Sequence, residues 1–81
     1  MTLEQAKELF EEIADLCYQT GNPQLIETIN QIYPEVEDLT ELSKIILSAE
    51  ELQVVINDMD ILDDEEDDVQ EIQEIIERLS E

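Results

Sequence analysis

Apolar side chains recur every three or four residues through nearly the whole chain, and little interrupts them: 81 residues hold one glycine and two prolines. That spacing gathers apolar groups on one stripe of a helix. Strands would need turn formers and period-two alternation, and neither is present in quantity. The sequence therefore predicts an all-α protein.

The first stripe is Leu3, Ala6, Leu9, Phe10, Ile13, Leu16 and Cys17. Thr2 and Gln5 match the capping box that satisfies free N–H groups at a helix start. Gly21 suits the left-handed residue that ends a helix, and Asn22 and Pro23 suit the N-cap and first position of the next. So short a connection predicts an antiparallel hairpin. The second helix carries Leu25, Ile26, Ile29, Ile32 and Tyr33, and Pro34 is expected to stop it at Tyr33. A third is expected from about Glu35 or Leu39 to Leu47, with Leu39, Leu42, Ile45 and Ile46 inward and Asp38 and Glu41 at its cap. Ser48 and Glu51 form an S-x-x-E box that would open a fourth, with Leu52, Val55, Ile56 and Met59 on its apolar side. Residues 58–68 read as an acidic connector. Residues 69–81 read as a terminal helix with Val69, Ile72, Ile75, Ile76 and Leu79 in a heptad-like stripe. The expected architecture is one domain over 1–81, a small bundle of four to five short helices.

Charge narrows the function. Twenty-four Asp and Glu stand against three basic residues, a formal charge of -21. Such a chain repels itself, stays in solution and is pushed away from nucleic-acid phosphate and anionic lipid. Direct binding to nucleic acid or membrane is not expected. The N-terminus shows no basic region followed by an apolar one, and no apolar run approaches the roughly 20 residues that span a bilayer. Cys17 is the one cysteine, so it has no disulfide partner within the chain and falls on an apolar stripe as a small hydrophobe. The expected location is cytoplasmic.

Catalysis is not expected. There is no histidine, no glycine-rich phosphate loop and no serine elbow. No lone acid is evident within an apolar stripe, where burial would raise its pKa. Metal binding is weighed at Asp58, Asp60 and the acids from Asp63 onward. An EF-hand loop from Asp58 fails at Leu62, Asp63 and Val69, so no metal or other cofactor is expected.

The acids are arranged, not scattered. Glu4, Glu8, Glu11 or Glu12, and Asp15 recur along one helical face, and Asp67, Glu71, Glu74 and Glu81 do so on the last helix, interrupted by Arg78. Like charges at this spacing each cost roughly 0.2–0.5 kcal/mol per pair. Neighbouring carboxylates stand about 5–6 Å apart, the same order as duplex phosphates at roughly 3.4 Å per strand. The preferred expectation is a non-enzymatic module that binds a basic protein, such as a nucleic-acid-binding one, as a phosphate mimic or inhibitor. Glu4, Glu8, Glu11, Asp15, Asp67, Asp68, Glu71 and Glu74 would accept its Lys and Arg side chains. The bland counterpart is a merely solvated surface. The alternative is an adaptor or homodimer joined through Val69, Ile72, Ile76 and Leu79, with acidity serving solubility.

Overall fold

A computed structural model describes residues 1–59 and 63–80 of the chain. It contains four helices, α1 (Leu3–Thr20), α2 (Pro23–Asp38), α3 (Leu42–Asp58) and α4 (Glu66–Ser80), and no strand among the described residues.

Helix α1 begins and ends on local signals. Gln5 N–H donates to the Thr2 hydroxyl at 3.2 Å, and Thr2 N–H donates to the Gln5 side-chain oxygen, Oε1, at 3.0 Å. Gly21 closes the helix at φ 70°, a backbone conformation without steric cost only for glycine. Asn22 then caps α2, its side-chain oxygen accepting from Gln24 N–H at 2.9 Å and Leu25 N–H at 3.3 Å. Pro23 occupies the first turn, where its missing N–H is not needed.

Two expectations of helix breaks fail, both for tertiary reasons. Helix α2 passes through Pro34 and runs to Asp38. Pro34 itself is exposed, and the turn beyond it buries Val36 on the same face as Ile29 and Ile32. That burial, and a 2.8 Å bond from Lys7 Nζ to the Glu37 carbonyl, offset the lost backbone bond at the proline. The break expected at Ser48 is also absent: α3 is one helix whose stripe Ile45, Ala49, Leu52 and Ile56 is continuous. Ser48 donates its hydroxyl back to the Lys44 carbonyl at 3.1 Å, and Glu51 lies exposed. Inside a helix the N–H groups a capping box would serve are already bonded. No helix starts at Glu35 or Leu39. Glu41 is the N-cap of α3 and makes no side-chain capping bond.

The core takes its largest fully buried side chains from all four helices: Phe10 and Ile13, Leu25 and Ile29, Ile45 and Leu52, Ile72 and Leu79. Each contributes about 1.5–3 kcal/mol on burial. Helix α1 packs on the other three, and its Ala6 and Ala14 are buried. Helix α3 touches α2 and α4, while α2 and α4 do not meet among the described residues. No helix among those residues is long and apolar enough to cross a membrane.

Candidate functional site

The acidic stripe of α1 lies on the side opposite its core residues. Glu4, Glu8, Glu11, Glu12 and Asp15 are exposed, while Ala6, Phe10, Ile13, Ala14 and Cys17 are buried. On α4, Asp67, Glu71 and Glu74 are exposed and Asp68 is half-buried. Glu66, Asp67 and Asp68 fill the first turn of α4, where the helix dipole favours carboxylates. Asp60 and Glu81, included in the sequence reading, lie outside the described residues.

The two stripes sit on neighbouring helices with a fixed mutual orientation. Asn22, at the end of α1, donates through its side-chain nitrogen to Glu65 Oε2 at 3.1 Å, just before α4 begins. The C-terminal end of α1 therefore meets the N-terminal end of α4, and the stripes run in opposite directions. Glu65 is 9% exposed, a buried acid inside the run read from the sequence as solvated. The turn at 63–65 carries it back against the α1–α2 junction, so the reading of residues 58–68 as a solvated connector does not hold at Glu65. One asparagine thus caps α2 and anchors the start of α4.

The apolar stripe of α4 is not a surface. Val69, Ile72, Ile76 and Leu79 are all buried in the chain's own core, with α4 packed on α1 and α3. The exposed large apolar groups lie elsewhere. Leu47 and Val54, both 59% exposed, stand one heptad apart on the outer side of α3. Val54 borders an open groove of about 820 Å³ between α3 and α4, with Gln53, Asn57, Gln73, Glu50 and Glu77 around it.

Comparison with protein families, curated proteins and solved structures found no match to this chain. The site must be read from its own geometry.

A second hollow, of about 320 Å³, lies between α1 and α2. Glu11, Ala14, Asp15 and Tyr18 line it from one helix, Ile29, Asn30, Tyr33 and Pro34 from the other. The Tyr18 hydroxyl donates to the Asn30 side-chain oxygen across the two helices. The Tyr33 ring leans on Phe10 of the core, with ring centroids 6.5 Å apart and planes tilted by 39°. Its phenol is pushed above the ordinary value, first by burial and then by the negative charges of Glu11, Glu37 and Asp15. Of these residues the sequence marks only Glu11 and Asp15 as binding residues; Ile29 and Tyr33 read as apolar stripe and Pro34 as a helix stop. The missed signal was the register of the two helices, which sets Tyr18 against Asn30 and brings Asp15 towards Tyr33.

Cys17 is fully buried, and desolvation pushes its thiol up to about 12. It is held as the inert thiol, because a thiolate there would be unsolvated. Among the described residues, no group of three or more His, Cys, Asp or Glu is placed to hold a metal ion.

Proposed function

We propose that this protein is a non-enzymatic binding module whose acidic faces on α1 and α4 engage a basic surface of a partner protein. The observation that carries this reading is the position of the acids. Glu4, Glu8, Glu11 and Asp15 on α1, with Asp67, Glu71 and Glu74 on α4, all project into solvent from adjacent helices that are locked together. Repulsion along such stripes costs stability, and a partner rich in Lys and Arg would relieve it. The steering field of a -21 chain speeds the encounter.

The finer reading is phosphate mimicry. The molecule measures 35 × 23 × 19 Å, its length comparable to one duplex turn of roughly 34–36 Å. A partner that grips the nucleic-acid backbone would meet carboxylates at about phosphate spacing. The test is capture of the partner at low salt and its identification by mass spectrometry, followed by competition with duplex DNA. A basic, nucleic-acid-binding partner displaced by the duplex supports mimicry. A partner that holds the duplex and this protein together, without competition, excludes it.

The second reading is an adaptor that docks through an apolar helix face. The exposed Leu47 and Val54 favour it, and they transfer that reading from α4, whose apolar stripe is buried, to α3. Acidity would then serve solubility. Leu47→Asp with Val54→Asp separates the two, since loss of binding in that variant supports the adaptor and unchanged binding supports the acidic faces.

A further inference from the structure

The acidic stripe of α1 is not uniform. Glu4 is exposed and Glu8 borders a hollow of Met1, Gln5, Leu9 and Glu12 that holds no aromatic side chain, whereas Glu11 and Asp15 border the hollow between α1 and α2. That hollow also has Tyr18 and Tyr33 in its lining, which are all the tyrosines of the chain. Few aromatics exist here, and two of them meet at one place.

We propose that the α1–α2 hollow is a receptor for a single arginine side chain of the basic partner, the guanidinium lying against the tyrosine rings with Glu11 and Asp15 accepting its N–H groups. The proposal rests on the reading of the protein as a binder of basic surfaces and locates where that binding becomes specific.

The chemistry of the lining favours a flat cation. Aromatic faces are negative and attract a cation within about 6 Å of the ring centroid. A guanidinium is planar, stacks on rings and directs five N–H donors outward in its own plane. The hollow supplies acceptors for them. Two are the carboxylates of Glu11 and Asp15, one helical turn apart. Asn30 also lines the hollow, and its backbone oxygen lacks the usual helical donor. Pro34, four residues on, has no N–H to give it, and both residues belong to the lining. An ammonium group, a compact strongly hydrated charge, would use the carboxylates but gain less from the ring faces.

The walls are set before a ligand arrives. Phe10 supports Tyr33 from the core, and the bond to Asn30 holds Tyr18 to α2. Buried Ala14 and Ile29 form part of the lining, and the small alanine leaves space that a larger side chain would fill. Ordering costs that normally weaken the binding of a long side chain are thereby reduced on the protein's side.

The test needs no partner. Isotope-labelled protein is titrated with N-acetyl-arginine methylamide and, in parallel, with the lysine analogue, while backbone NMR signals are followed. The expected result is saturable shifts centred on Ala14, Tyr18, Ile29, Asn30 and Tyr33, with arginine the tighter ligand. Tyr18→Ala, and Glu11→Gln with Asp15→Asn, should each weaken arginine binding by about tenfold or more. Glu4→Gln with Glu8→Gln, which removes the same charge from the same helix, should change it by less than about twofold. Tyr18→Phe, which keeps the ring and drops the bond that holds it to Asn30, should weaken binding less than Tyr18→Ala, and a dispersed spectrum shows that each variant is folded. Shifts spread evenly over the acids of α1 and α4, equal binding of the two analogues, or equal loss in the two double variants would overturn the assignment. Those outcomes leave the acidic faces as partner-binding surfaces. Failure to retain any basic partner in the capture experiment would instead remove the broader reading, whatever the titration shows.

Discussion

Helices α1 and α3 are of similar length and pack on each other, yet they turn opposite kinds of surface to solvent. The outer side of α1 presents Glu4, Glu8, Glu11, Glu12 and Asp15. The outer side of α3 carries Lys44, Leu47 and Val54 among Glu50, Glu51 and Asp58. Solubility alone would not require this division, because acids placed on α3 would serve it equally. The acids of α1 are concentrated where they repel one another, which costs stability and gains a local field. The difference teaches that net charge is the less informative quantity here, and placement the more informative one.

The largest effect expected from breaking this contrast is on binding. Reversing Glu4, Glu8, Glu11 and Asp15 to Lys should reduce affinity for a captured basic partner by about a thousandfold, since like charges brought together cost several kcal/mol. Leu47→Asp with Val54→Asp should leave that affinity within about twofold. Both are read by surface plasmon resonance. The opposite ranking would make α3 the functional face.

The inner side of α1 offers a pH test. The Cys17 thiol is raised to about 12 in the folded protein, above an unfolded value near 8.5–9. Between those values the unfolded chain has lost a proton that the folded chain keeps, so stability falls as pH rises. The expected slope is about 1.4 kcal/mol per pH unit, from urea denaturation above about pH 9. Tyr33, raised as well, acts in the same direction at higher pH. Cys17→Ala should remove the first part of the slope, and an unchanged slope would show that the thiol is not its source.

The helix junctions differ in the same way as the faces. Asn22 caps α2 and binds Glu65, whereas Glu41 at the start of α3 makes no side-chain capping bond. Asn22→Ala should cost about 2 kcal/mol, from the lost cap and a buried carboxylate left without that donor. Glu41→Ala should stay within about 0.5 kcal/mol. Equal costs in thermal unfolding would contradict the role assigned to Asn22.

The smallest effect is a gain. Converting Glu4, Glu8, Glu11 and Asp15 to their amides should stabilise the fold by about 1 kcal/mol at low salt, as i, i+3 and i, i+4 repulsions are removed. The gain should fade in about 1 M salt, where the screening length is roughly 3 Å. A loss in place of the gain would mean that these carboxylates hold the fold together.

What the sequence disclosed was what local chemistry decides. Thr2, Gly21, Asn22 and Pro23 each have a reason to stand where they do that involves only near neighbours, and the structure places both caps there. The helical stripes, hence most of the core, follow from spacing in the same way. What stayed hidden depends on partners distant in the chain. Pro34 is crossed because Val36 has a core to enter, and Ser48 is crossed because the stripe from Ile45 to Ile56 has one too. Glu65 looks like one more solvated acid until the turn at 63–65 brings it to Asn22. The acidic stripe of α1 was legible, but its division into a part without aromatic neighbours and a part beside a tyrosine-lined hollow was not. That division arises from the register of two helices, which no single helical pattern contains.

If placed carboxylates carry recognition, affinity for the partner depends on salt. Affinity should be measured across increasing salt for the natural chain and for the Glu4, Glu8, Glu11 and Asp15 amide variant. A steep fall in affinity is expected for the natural chain and a distinctly shallower one for the variant. Affinity that persists unchanged into molar salt, or equal slopes for the two proteins, would contradict it.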